Sequence, residues 1–107
     1  MKLSIIIPTL NEEANISNLL DALVATPYNK EIVVVDGGST DKTVEIVKRF
    51  TSENKVRLLQ TSLQSRAKQM NEGANISTGD VYYFVHADVM PPDTFYQDIE
   101  KCIALGD

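Results

Sequence analysis

Three short stretches hold the side chains able to bind a metal, move a proton or grip a polar ligand: PTLNEE at 8–13, DGGSTD at 36–41 and HAD at 86–88. Asp36 and Asp88 are carboxylates at strand ends, where open α/β sheets bind their ligands. His86 and Asp88 stand at i and i+2, which on an extended segment point the same way and can share one ligand. A nitrogen–oxygen pair of that kind suits manganese or a related divalent ion better than calcium. Each group also has a plainer reading. Asp36 can end a strand and satisfy turn amides, His86 can be a hydrogen-bonded strand-end histidine, and Arg66 can lie on a solvated helix face. Glu12 fits a capping box with Thr9, and Asp41 reads as a helix N-cap more readily than as a ligand.

The elements that must carry these stretches alternate between strand and helix periods along the whole chain. KLSIIIP reads as a buried strand closed by Pro8. From Asn11 to Ala25 the apolar residues Ile16, Leu19, Leu20, Leu23 and Val24 recur at helical spacing. A second buried strand runs from Glu31 to Asp36, and a helix with Val44, Ile46, Val47 and Phe50 follows it. Val56 to Gln60 makes a third strand and Gln64 to Ser77 a third helix, in which Gly73 costs about 1 kcal/mol against alanine. Val81 to His86 is the fourth strand, and Thr94 to Leu105 a final helix after Pro91-Pro92. Runs such as IVVV and VYYFV lack clean polar alternation, as expected of strands covered on both faces. Helical crossovers between such strands require parallel neighbours. The fold class is therefore α/β, a doubly wound, mostly parallel sheet with helices on both faces. In such sheets ligands bind beyond the carboxyl ends of the strands, where all three polar stretches fall.

Composition narrows the function classes. The 107 residues are 43% hydrophobic and 23% charged, which suits one globular domain with a real core. A net charge of −5 excludes a nucleic-acid scaffold, which needs clustered Lys and Arg. It leaves room for a phosphorylated small ligand bridged by a divalent ion. The single cysteine, Cys102, has no partner for an internal disulfide, and no histidine neighbours it in sequence to activate it as a nucleophile. No apolar run approaches the roughly 18 residues of a membrane helix, and no signal peptide is visible. These features point to a cytoplasmic chain without a transmembrane segment.

The order and separation of SIIIPTLNEE, EIVVVDGGSTDKT and SRAKQMNEGANISTGDVYYFVHAD resemble the nucleotide-sugar half of a family 2 glycosyltransferase, which has the GT-A fold. The resemblance covers nearly the whole chain, residues 1–107, and implies a donor linked to UDP or GDP. It implies that Pro8, Asn11 and Glu12 line the base and ribose end of the pocket. Asp36 matches the aspartate after the second strand that contacts the base. Asp88 matches the last position of the family's DxD motif, which holds Mn2+ or Mg2+ on the donor diphosphate, with His86 in the first position. Asn71 and Gly73 match the end of the family's helix motif near the nucleotide. Gly37 stands where many relatives have a second aspartate. Met70 replaces a frequent basic residue, whose charge Arg66 and Lys68 supply from a turn earlier.

The resemblance further implies transfer of the sugar to a hydroxyl acceptor, with inversion, and a general base in an acceptor half beyond these residues. The chain is thus expected to be a fragment that binds donor nucleotide and catalyses nothing alone. In the family order 3-2-1-4, the strand at 81–86 would keep an unpaired apolar edge, predicting a homodimer or a swapped segment over it. Two rivals remain. A nucleotidyltransferase opens with a Gly-rich basic phosphate loop, which PTLNEE lacks, and a non-catalytic nucleotide-binding or interaction module would bind without turnover.

Overall fold

The computed structural model describes residues 1–53, 56–62, 64–92 and 94–106, without the side chains of 53 and 102–106; Cys102 thus lies outside the described side chains. Its elements run β1 (Leu3–Thr9), α1 (Ile16–Val24), β2 (Lys30–Asp36), α2 (Thr43–Glu53), β3 (Val56–Gln60), α3 (Arg66–Ile76), β4 (Val81–Phe84) and α4 (Phe95–Gly106). The strands form one four-stranded sheet in the order β3-β2-β1-β4. Every pairing in it is parallel. β1 and β2 are central and almost wholly buried, which explains their unbroken Ile and Val runs.

The two faces of the sheet are filled unequally. Leu3, Ile5, Ile7, Ile32 and Val34 point to one side. There they pack with Ile16, Leu19, Leu20 and Leu23 of α1, Val47 of α2 and Phe95 of α4. Ile6, Val33 and Val35 point to the other side, where α3 lies over β1 and β2. Alternate residues of a strand face opposite ways, so Tyr82 and Phe84 of β4 share the α3 side. They are left 45% and 44% exposed, whereas Tyr83 on the opposite side stacks on Phe95 at 5.0 Å.

Gly73 explains how α3 can lie so close. A β-carbon there would come within 2.5 Å of Ile6 Cγ2 and 3.0 Å of Val35 Cγ2. Hence the glycine that weakens the helix in isolation is required by its contact with the sheet.

Several element ends shift by one or two residues, and three changes bear on the site. β1 runs one residue past Pro8, to Thr9, because its pairing with β2 continues through Thr9 and Asp36. α1 begins at Ile16 rather than Asn11, since Asn11 has a φ of 54° that no right-handed helix accommodates. β4 stops at Phe84 rather than His86. The Val85 N–H donates to the Ile6 carbonyl, and in a parallel ladder of this register the next donor from β1 would be residue 8. Residue 8 is proline and has no N–H to give. Freed of that bond, the chain turns away, and Ala87 and Asp88 lie in a turn closed by Val89 N–H on the His86 carbonyl (3.1 Å).

At the amino edge of the sheet, buried Glu31 binds α3's exit to the central strands. Its carboxylate accepts Ser4 Oγ (2.6 Å) and both the N–H and the hydroxyl of Thr78. Lys2 Nζ and Arg57 Nη1 lie 3.9 and 3.6 Å away. Burial by itself would raise this carboxyl, but the Ser4 and Thr78 hydrogen bonds and the Lys2 charge together hold it below its ordinary value of 4.5. A depressed carboxyl contributes stability that is present above the unfolded value and lost as pH falls through the folded one. Glu31→Gln should therefore lower the free energy of unfolding at pH 7 by on the order of 1 kcal/mol. The gap between variant and wild type should close on acidification below 4.5. Thermal unfolding of both chains across that range checks it, and a gap independent of pH would refute the assignment.

Candidate functional site

The site is built from two loops that the sequence places far apart and the sheet brings side by side. Thr9 and Asp36 are paired across β1 and β2. Thr9 Oγ1 donates to Asp36 Oδ1 at 2.8 Å. The same carboxylate accepts Ser39 Oγ at 2.6 Å, and its other oxygen accepts the N–H groups of Gly38 (3.0 Å) and Ser39 (2.8 Å). Asp36 is 2% exposed, and four donors fill the lone-pair sites of a carboxylate. Its visible work is therefore to fold the DGGSTD turn, in which Gly38 takes a φ of 101° that favours glycine.

Asn11 stitches this turn to the PTLNEE loop. Its side-chain carbonyl accepts Thr40 N–H at 2.8 Å and Asp41 N–H at 3.3 Å, while its own N–H donates to Ser39 Oγ at 2.8 Å. Asn tolerates the left-handed backbone it adopts here better than most residues. Glu12 N–H donates to Thr43 Oγ1 and Glu13 N–H to Asp41 Oδ2. The capping box expected of Thr9 and Glu12 does not form, because Thr9 belongs to the strand and bonds Asp36. Asp41 does serve the entry of α2, accepting both the N–H and hydroxyl of Thr43. Burial would raise its carboxyl, but those bonds and the one from Glu13 lower it.

Beside these loops a cavity of about 200 Å³ opens at the carboxyl edge, lined by Pro8, Thr9, Leu10, Glu12, Gln64, Arg66, Gln69, His86 and Ala87. Four residues picked from sequence, Pro8, Glu12, Arg66 and His86, thus come together from the ends of β1 and β4 and the start of α3. Arg66 is the first residue of α3, exposed, and lines the cavity at the helix start, where among the described residues Ser65 makes no side-chain cap bond. A second, more open hollow of about 550 Å³ is lined by Asp36, Gly38, Ser39, Val44, Gln60, Thr61 and Ser62. Asn11, Asn71 and Asp88 are exposed and line neither. The i and i+2 argument for His86 and Asp88 loses its basis, because the segment turns instead of extending.

Sequence reasoning passed over Gln69. It is 2% exposed, and its Nε2 donates to the carbonyls of Thr9 (3.0 Å) and Val35 (2.8 Å) on the two central strands. The one signal available was a polar residue four positions before Gly73, on the helix face that meets the sheet. Among the described residues, no three His, Cys, Asp or Glu side chains group closely enough to hold a metal by themselves.

A parallel sheet in this order, with polar loops gathered at one edge, is the GT-A architecture of nucleotide-sugar-dependent transferases. Residues 4–104 match the model of glycosyl transferase family 2, and the chain belongs to that family. It is similar to a dolichyl N-acetyl-alpha-D-glucosaminyl phosphate 3-beta-D-2,3-diacetamido-2,3-dideoxy-beta-D-glucuronosyltransferase of Methanococcus voltae, at 33% identity over 92% of this chain and 35% of that protein. It is 37% identical to the poly(ribitol-phosphate) beta-N-acetylglucosaminyltransferase TarS of Staphylococcus aureus, over 82% of this chain and 16% of TarS. Among solved structures, residues 1–349 of TarS in complex with UDP superpose with a TM-score of 0.81 at 30% identity, covering 97% of this chain and 32% of that one. The Pyrobaculum calidifontis mannosyltransferase PcManGT, in complex with GDP-Man and Mn2+, gives a TM-score of 0.86 at 27% identity over 97% and 32%. The chain thus spans about a third or less of the length of these relatives.

The Asn11 bridge generates a prediction. Asn11→Gly and Asn11→Ala both lose the acceptor for Thr40 and Asp41, but only alanine resists the positive φ. Alanine should be the less stable of the two by about 1 kcal/mol. Urea unfolding of the pair measures it, and equal midpoints would refute the backbone argument.

Proposed function

We propose that this chain is the donor-binding half of a glycosyltransferase that passes a sugar from UDP or GDP to a hydroxyl acceptor with inversion. The observation that carries the reading is the cavity in which Arg66, at the start of α3, meets Glu12, His86 and Pro8 at the carboxyl ends of β1 and β4. A planar guanidinium beside free helix N–H groups suits the oxygens of a diphosphate. The UDP carried by TarS and the GDP-Man carried by PcManGT support a nucleoside diphosphate as the ligand class.

In this reading Pro8, Glu12 and Arg66 contact the nucleotide directly. Asn11 and Asp36 serve it from behind, by fixing the loop that forms the neighbouring hollow. The part given to Asn71 rests on the family resemblance alone. His86 and Asp88 hold Mn2+ or Mg2+. Both side chains are exposed, His86 lining the cavity and Asp88 standing two residues further on, and such ions are commonly held by one or two protein ligands while substrate phosphates and water fill the rest. PcManGT with Mn2+ supports the choice of ion. The bound ion would neutralise charge on the leaving diphosphate. Among the described residues the one carboxylate lining the cavity is Glu12, and it already accepts from Asn15 Nδ2. These residues therefore bind the donor without completing transfer by themselves.

A homodimer through β4 belongs to the same proposal. In the ladder with β1, Tyr82 and Phe84 turn their main-chain groups toward the open edge, and their side chains are nearly half exposed. An antiparallel second copy would set Tyr82 against Phe84, an aromatic pair of a kind that stabilises sheets. Light scattering behind size exclusion should find a dimer that Phe84→Lys converts to monomer. A wild-type monomer at every concentration tested would end this part of the reading.

Calorimetric titration with UDP and GDP, with and without Mn2+, tests the main proposal. Binding should strengthen with Mn2+, and Arg66→Ala should weaken it about tenfold. A folded chain that binds neither nucleotide, with or without the ion, would overturn it.

A further inference from the structure

We propose that Gln69 is the positioning residue of the donor site. It sets where the β1 and β2 loops stand relative to Arg66, by holding α3 to the carboxyl ends of both central strands. The inference rests on the nucleotide-binding reading above and adds a residue that the reading does not use.

Three observations support it. The side chain is buried, and its single amide nitrogen reaches two carbonyls on adjacent strands, Thr9 at 3.0 Å and Val35 at 2.8 Å. Those carbonyls sit immediately before the two loops of the site. Thr9 precedes Leu10 and Asn11, and Val35 precedes Asp36. The contact to Thr9 is not needed to rescue an orphaned group, since that carbonyl already accepts the Gly37 N–H at 2.9 Å. What the amide adds is direction, because a hydrogen bond fixes an angle and a distance where apolar packing fixes only volume.

The placement of Gln69 on α3 makes that direction useful. Arg66 lies three residues earlier on the same helix and Gly73 four residues later. Gly73 brings the helix against Ile6 and Val35 at van der Waals limits, so it fixes the separation of helix and sheet. Gln69 fixes the slide of the helix along the strands. Between them the first turn of α3, with its guanidinium and free N–H groups, is held at one height over Thr9 and the Asp36 turn. Displacement of a binding group by about 1 Å is enough to cost a site much of its effect.

The test uses the whole chain. Gln69→Met keeps length and volume and removes the donor. Gln69→Glu keeps the shape but sets a carboxylate against two carbonyls, and protonation restores a single O–H donor. Unfolding curves establish that each variant is folded at the temperature of titration. UDP and GDP affinities are then measured in the presence of Mn2+. Gln69→Met should bind about tenfold more weakly than wild type, the effect of roughly two lost hydrogen bonds' worth of alignment. Gln69→Glu should bind more weakly still while its carboxyl is ionised and recover, relative to wild type, as the pH falls and the buried carboxyl takes up a proton. A merely structural amide would lower the unfolding midpoint and leave the affinity of the folded chain unchanged. Wild-type binding with an unaltered Gln69→Met affinity therefore overturns this inference and leaves the nucleotide reading intact. Failure of both variants to fold also overturns it, since the amide would then serve stability and not placement. No binding by folded wild type overturns the inference together with the reading it rests on.

Discussion

The main chain has no hydrogen to donate at position 8, and much of the carboxyl edge follows from that. β1 is hydrogen-bonded to β2 as far as Thr9 and to β4 only as far as Ile6. Proline interrupts the ladder on the β4 side alone, because successive residues of a strand direct their main-chain donors to alternate neighbours. β4 leaves the ladder after Val85, and Ala87 and Asp88 form a turn beyond it. The cavity lined by Pro8, Arg66 and His86 lies beside that departure. It lies where the strand order reverses from β2 and β3 on one side to β4 on the other, the position at which open α/β sheets place their ligands.

Around that opening the polar side chains are committed mainly to one another. Asp36 holds its own turn, Asn11 ties that turn to the neighbouring loop, and Gln69 ties both strand ends to α3. A buried carboxylate is stable only when its hydrogen-bonding capacity is filled, so Asp36 and the loops it orders form or fail together. At the other end of the sheet Glu31 does comparable work for the chain between α3 and β4. The helix that bears Arg66 is therefore fixed at both ends, and Gly73 allows it to approach closely in between. Rigidity of this order fixes the main chain from which the exposed Arg66 and His86 project, so that only their side chains are left to order.

The solved relatives containing UDP, or GDP-Man with Mn2+, share this architecture over 97% of the present chain. They extend well beyond it, and this chain corresponds to 32% of each. The α3 face of the sheet is correspondingly half covered, with Tyr82 and Phe84 open to solvent at the β4 edge.

The sequence by itself determined the element order, the parallel sheet and the family. Those follow from period, from unbroken Ile and Val runs, and from motifs whose spacing survives without any knowledge of contacts. Through the family resemblance it also marked Pro8, Glu12, Arg66 and His86, which line the cavity, and Asn11, Asp36, Asn71 and Asp88, which do not. Only the tertiary structure decided how the polar groups divide between ligand and scaffold. Asp36 and Asp88 look alike in sequence, each a carboxylate after an apolar run, yet one is buried under four donors and the other is exposed in a turn. Gln69 looks like an ordinary helix residue until α3 is laid across two strands. The bend at Val85 depends on which neighbour Pro8 fails to serve, and that depends on register. In each case the deciding interaction joins residues distant in the chain, and no local pattern encodes its geometry.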